Sequence, residues 1–200
     1  MLKSNLVYIR EKVIGMVSNR RKTDLEGADF YPTPAWGTKA LIKYEKFVGD
    51  ILEPCCGNGA MAEILKLTGC NIIASDLYSR DYGSQCNFFD IKNEYDNVIT
   101  NPPYNIAGDI LDHALSISKN KVCILVRTAF LESITRYNRF YSTRPPSRVY
   151  TFVERLSLYP AGEEIKGGGT TSYSWLVWDK NNNNGITELK WIEPGLKKQG

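Results

Sequence analysis

Histidine is nearly missing from this chain, and so is any metal-type pairing of cysteines. The lone histidine is His113, and the five cysteines, Cys55, Cys56, Cys70, Cys86 and Cys123, form no Cys-x-x-Cys pair. A histidine-based metal site and a serine–histidine relay therefore have little support, and no metal is expected. His113 falls within a helical stretch and reads as a surface or packing residue. The cysteines read as small, reduced core residues of a cytoplasmic protein. Long apolar runs are missing as well. No stretch approaches the roughly 18 uninterrupted apolar residues of a membrane span, and the first residues lack an apolar core with a cleavage site. Neither a membrane partner nor a signal peptide is expected. Charge of one sign is not in excess either: a net charge of +3 neither demands nor excludes a nucleic-acid partner.

What is present fits one soluble domain. Apolar residues make up 42% of the 200 positions and charged residues 24%, near the globular average, so a core can form without disulfide or metal staples. Residues 1–28 are basic, with Lys3, Arg10, Lys12, Arg20, Arg21 and Lys22 against Glu11, Asp24 and Glu26. Such an arm can lie along phosphates or simply be a solvated terminus. A domain over 29–193 and a tail over 194–200 are expected, with no internal repeat or interdomain linker.

From Asp50 the chain alternates strand and helix. Strands are expected at Asp50 to Glu53, Asn71 to Ser75, Cys86 to Phe89, Asn97 to Thr100 and Lys121 to Val126. Helices are expected over Ala60 to Leu67, Ala107 to Ser118 and Thr128 to Tyr141. Arg148 to Val153, Thr171 to Trp178 and Thr187 to Ile192 are strand-like, and Gly167-Gly168-Gly169 marks a loop expected to move. The alternation implies an α/β fold, a mostly parallel sheet with helices on both faces. In such sheets ligands bind beyond the carboxyl ends of the strands, where strand order reverses.

The polar elements cluster at those ends. Asn101-Pro102-Pro103-Tyr104 follows the apolar run Asn97 to Thr100. Two prolines fix φ and remove two donors, leaving the Asn101 side-chain oxygen, the Pro102 carbonyl and a flat tyrosine face. That set suits a planar amino group, of a nucleobase or of a side-chain amide. Asn-Pro-Pro is also common loop punctuation. At the first strand's end, Glu53-Pro54-Cys55-Cys56-Gly57-Asn58-Gly59 opens a helix, and Asp76 follows the second strand. A dinucleotide site is one reading. The turn lacks a third glycine, however, and Glu53 sets a carboxylate where phosphate charge would lie, which suits a ligand with a positive amino group.

Residues 29–104 resemble the S-adenosylmethionine-dependent amino-methyltransferases, most closely the DNA adenine-N6 methyltransferases in a compact, phage-like form. The resemblance is carried by Asp29-Phe30-Tyr31-Pro32-Thr33-Pro34, by Leu52 to Gly59, by Ser75-Asp76-Leu77, by Phe88-Phe89-Asp90 and by Asn101 to Tyr104. It extends more loosely to Thr171 to Trp178, similar to the family's late antiparallel strand. It implies a Rossmann-like methyltransferase fold with S-adenosyl-L-methionine as cofactor. The cofactor carboxylate would sit near Tyr31 and Thr33, and its amino group near Glu53 or the adjacent backbone, with Pro54, Cys55, Gly57 and Gly59 also in the cofactor site. Asp76 would take the ribose hydroxyls, Leu77 would pack on the adenine, and Asp90 would accept from the adenine amino group. Phe30 reads equally as a core aromatic and is left outside the site. Asn101, Pro102, Pro103 and Tyr104 would be the catalytic group, holding an adenine flipped from DNA.

The resemblance leaves the acceptor open. The same tetrapeptide serves enzymes that methylate protein glutamine or RNA base amino groups, and a non-catalytic subunit on the same fold is a further reading. Only Ser142 to Arg148 and the Gly162 to Thr171 loop with Lys166 are placed to recognise sequence, so relaxed specificity or a specificity partner is expected. Arg127 and Arg155 are read either as contacts to the acceptor or a phosphate, or as ordinary solvated or ion-paired surface arginines.

Overall fold

The computed structural model describes residues 30–159 and 171–199. The basic arm, Asp29 and residues 162–170 of the glycine-rich loop lie outside the described residues. The strands are β1 (Asp50–Glu53), β2 (Asn71–Asp76), β3 (Ser84–Gln85), β4 (Tyr95–Thr100), β5 (Ser118–Arg127), β6 (Arg148–Phe152), β7 (Tyr173–Asp179) and β8 (Glu188–Ile192). Among the described residues they form one sheet in the order β3-β2-β1-β4-β5-β7-β6-β8. β3, β2, β1, β4 and β5 are mutually parallel. β7 runs antiparallel to both β5 and β6, and β8 adds parallel to β6. The expected α/β architecture with a late antiparallel strand is therefore the one found. Strand order reverses between β1 and β4, so the carboxyl ends of those strands open a crevice.

Helices cover both faces because both sets of alternating side chains are apolar. On β5, Cys123 and Leu125 face one cluster with Ile51, Ile99, Trp175 and residues of helix α1 (Ala35–Tyr44) and helix α2 (Ala60–Leu65). Val122, Ile124 and Val126 face the other, with Leu52, Val98, Leu176 and residues of helix α3 (Ala107–Ile117). The fully buried Trp175 donates its indole N–H to the Gly37 carbonyl at 2.9 Å, tying α1 to β7.

Two expected elements differ. The Cys86 to Phe89 segment is not a strand: β3 ends at Gln85, and Phe88–Asp90 forms a 3₁₀ turn. The Asn87 side chain accepts from the Phe89 N–H, withdrawing a donor that strand pairing would need. The helix expected over Thr128 to Tyr141 is broken into a 3₁₀ turn (Thr128–Leu131), a short helix α4 (Ile134–Arg136) and a π turn (Tyr137–Tyr141). The break is at Ser133, at φ 119°. There the Ser133 hydroxyl accepts from the Arg136 N–H, and the Arg136 side chain donates to the Phe130 and Ala129 carbonyls that helix continuation would have used.

At the opposite end of the sheet from the crevice lies a buried charge cluster. Glu45, just past α1, accepts from Lys121 at 2.6 Å, from the Tyr150 hydroxyl at 2.8 Å and from Arg148, which also donates to Asp179 at 2.7 Å. Burial alone would raise the Glu45 carboxyl, but the bonds from Arg148, Lys121 and Tyr150 hold it below its ordinary 4.5. A lowered acid contributes stability that is complete above its ordinary value and is lost as the pH falls through the lowered one. Arg148→Ala leaves two buried carboxylates with Lys121 as their remaining cation and is expected to cost about 3–5 kcal/mol in denaturant unfolding at neutral pH. A loss under ~1 kcal/mol would show that the cluster is solvated.

Candidate active site

β1 ends on a turn whose glycines are required by its shape. Gly57 has φ +54° and Gly59 φ +82°, a region that favours glycine. A Cβ at Gly57 would meet the Phe30 ring at 2.0 Å, and one at Gly59 the Tyr82 ring at 2.4 Å. Aromatic rings thus cover the positions where a dinucleotide fold brings pyrophosphate against backbone, which disfavours the dinucleotide reading. Asp76, at the end of β2, reaches back across this turn. Its Oδ2 accepts from the Gly57 N–H at 2.8 Å and its Oδ1 from the Tyr78 N–H at 2.9 Å. Each oxygen keeps lone pairs for a further donor, such as a pair of hydroxyls.

Glu53 stands at the base of the crevice, 2% exposed. Its Oε2 has no hydrogen-bond partner. Burial pushes the carboxyl up to about 8, the neighbouring Asp76 charge adds to the rise, and a bond from the Ala62 N–H opposes it. A buried carboxyl with a vacant acceptor fits a cationic amino group, which would restore its charge.

The end of β4 carries the second half of the site. The Asn101 Nδ2 donates to the Tyr31 carbonyl and to Thr33 Oγ1, both at 3.2 Å. The Tyr31 carbonyl, which can only accept, fixes which end of the amide is nitrogen. The Asn101 Oδ1 is buried without a partner. Pro102 and Pro103 contribute carbonyls and no N–H, and Tyr104 opens a 3₁₀ turn that leads into α3. The Tyr104 ring lies between Tyr31 and Tyr173, with centroids 6.1 and 6.0 Å away, and burial raises its hydroxyl. The Arg127 guanidinium lies over the same ring, 4.8 Å from its centroid.

Both halves line one cavity of about 430 Å³, within the range of small-molecule sites. Asn101, Pro102, Pro103 and Tyr104 line it. So do Tyr31, Thr33, Glu53, Pro54, Cys55, Asp76 and Leu77. Gly57 and Gly59 shape the wall from behind without lining it. Asp90 is exposed and outside the lining; Asn87, Phe88 and Phe89 face the cavity there instead. The signal for Asn87 was the Asn–Phe–Phe–Asp order, in which the asparagine caps the turn and is held at the wall. Phe30 lines the cavity too, under the Arg80 guanidinium at 4.5 Å, a contact with no sequence signal.

The basic segment proposed for sequence recognition is otherwise engaged. Arg148 belongs to the buried cluster, and Arg144 pairs with Asp112. His113 is a packing residue, edge-on to Phe88 with Nε2 3.1 Å from the Ile91 carbonyl. Among the described residues the cysteines are free thiols, and no cluster of metal-ligating side chains is present.

No family model matches the chain, and no curated protein sequence matches it. Solved structures do share its fold. A protein described as a modification subunit of a type I restriction enzyme from Vibrio vulnificus superposes with a TM-score of 0.58 at 13% identity, over 96% of this chain and 52% of that one. The chain thus spans about half of that subunit. One described as an RNA methyltransferase from Pyrococcus horikoshii gives 0.57 at 16% identity, over 81% and 90%. One described as a hemolysin from Lactococcus lactis gives 0.55 at 12% identity, over 82% and 95%. The shared feature is the Rossmann-like fold, which by itself does not choose among these activities.

The raised Glu53 carboxyl has a measurable sign. Between its ordinary 4.5 and about 8 the folded protein holds a proton that the unfolded chain has released. Stability of the unliganded protein should therefore decline as pH rises through that window. Glu53→Gln is expected to remove this part of the decline and to melt higher than the parent at pH 8.5. Parallel melting curves of parent and variant from pH 5 to 8.5 would place Glu53 in contact with solvent.

Proposed function

We propose that this protein transfers a methyl group from S-adenosylmethionine to an exocyclic amino group, and that the acceptor is N6 of adenine in DNA. One observation carries the reading. The Asn101 side-chain oxygen is buried, unpartnered and aimed by two bonds on the other end of its amide. A buried acceptor left in that state, at the wall of a cavity, calls for a donor, and an amino group brings two N–H donors to Asn101 and the Pro102 carbonyl.

Glu53, Asp76 and Leu77 fit the cofactor chemically: a vacant buried carboxyl for an ammonium, a braced carboxylate for two hydroxyls, and an exposed apolar side chain for a flat base. S-adenosylmethionine would supply an electrophilic methyl on sulfur. The protein's part is orientation and charge. Asn101 and Pro102 draw the two N–H groups of the acceptor into their acceptors, which turns the nitrogen lone pair outward and favours the cationic nitrogen formed on methylation. Preorganised acceptors of this kind act without reorganising as charge develops. Tyr104 offers the stacking face, worth about 1–3 kcal/mol per base, which offsets part of the cost of taking a base from the stack.

The likeness to a restriction-modification subunit favours DNA and a partner that supplies specificity, in keeping with the engagement of Arg144 and Arg148 within the fold. An RNA base amino group is the second reading, favoured by the shared fold over 90% of the Pyrococcus horikoshii protein. A non-catalytic role is disfavoured by vacant acceptors that bind nothing else in the fold.

Methyl-labelled S-adenosylmethionine offered with unmethylated DNA, RNA and a protein extract tests the proposal. Label recovered as N6-methyladenine from DNA is the expected result; label only on RNA or protein moves the acceptor, and no binding of the cofactor overturns the reading. Asn101→Ala is expected to keep cofactor affinity within about twofold while transfer falls at least about a hundredfold.

A further inference from the structure

We propose that Arg127 is the group that holds the phosphate beside the extruded acceptor base, which makes the acceptor a nucleic acid rather than a side-chain amide. The inference rests on the methyltransferase reading above and deepens it. Arg127 ends β5, paired across from Tyr173, and is exposed at the rim of the crevice. Its guanidinium lies over the ring of Tyr104, the ring that takes the base.

The surrounding arginines are committed elsewhere. Arg139 pairs with Asp109 and Asp112, Arg144 with Asp112, and Arg148 with Glu45 and Asp179. Arg136 donates to backbone carbonyls. The guanidinium that lines the cavity itself, Arg80, lies over Phe30 and Tyr78 on the β2 side. Arg127 is held by an aromatic face, which orients it and leaves its N–H groups open to exchange for another acceptor. A base turned out of a duplex brings its own phosphate to the same mouth. A forked guanidinium makes stronger, charge-assisted bonds to phosphate than to a ring. A glutamine side chain brings no such anion, so a cation at this point favours a nucleotide acceptor.

The test is binding rather than turnover. A fluorescent adenine-containing DNA oligonucleotide is titrated with the parent, Arg127→Ala and Arg127→Lys, each saturated with the unreactive analogue sinefungin, across a range of salt. Arg127→Ala should bind the oligonucleotide about tenfold more weakly at low salt, and the slope of log affinity against log salt should fall by about one. Arg127→Lys should restore the slope with only part of the affinity. Sinefungin affinity should be the same in all three proteins, a readout that a misfolded variant would not preserve. An unchanged slope in Arg127→Ala overturns the assignment alone. Failure of the sinefungin-bound parent to bind the oligonucleotide overturns the nucleic-acid reading and this proposal with it.

Discussion

The site depends on one pair of hydrogen bonds, from the Asn101 amide nitrogen to the Tyr31 carbonyl and the Thr33 hydroxyl. They join the segment before α1 to the end of β4, and they decide that the amide oxygen, not the nitrogen, faces inward. A buried acceptor without a donor costs about 1–3 kcal/mol. The fold sustains that cost because Thr33 is itself buried and Pro102 and Pro103 limit the backbone on the far side of Asn101. Glu53 repeats the logic at the end of β1, with a vacant oxygen and a carboxyl kept protonated by burial. The crevice therefore presents incompletely bonded oxygens at both ends, arranged before any ligand arrives.

The two ends of the sheet are electrostatic opposites. At the amino end of β5, Glu45, Lys121, Arg148, Asp179 and Tyr150 satisfy one another, tying α1 to β5, β6 and β7. At the carboxyl ends the polar groups are held in place but left incomplete. The rigid end supports the incomplete one: α1 is anchored by Glu45 at its carboxyl terminus and by Gly37 against Trp175, and Tyr31 and Thr33 directly precede it.

Much of this was legible in the chain. The paired alternation of Ile51 with Leu52, Val98 with Ile99, and Val122 to Val126 marks strands covered on both faces, and it set the α/β fold. Asn101-Pro102-Pro103-Tyr104, Glu53 and Asp76 stood out because each is a polar group directly after an apolar run. The misses have a common cause. Asn87 replaces Asp90 at the wall because a side chain captured a backbone N–H, and the helix after β5 breaks because Ser133 and Arg136 do the same. Such local captures carry no periodicity. Arg144 and Arg148 fell in the segment expected to recognise sequence because their partners, Asp112, Glu45 and Asp179, are distant in the chain. The placement of Phe30 on Gly57 and of Tyr82 on Gly59 is likewise a long-range contact, invisible to a motif.

The most direct measurement is a crystal structure of the protein with sinefungin and an adenine-containing oligonucleotide. The account expects the adenine N6 within about 2.7–3.2 Å of Asn101 Oδ1, with the Asn101 nitrogen still bonded to Tyr31 and Thr33 and the base against Tyr104. An Asn101 oxygen bonded to a protein donor, or an acceptor seated away from it, would contradict the central claim.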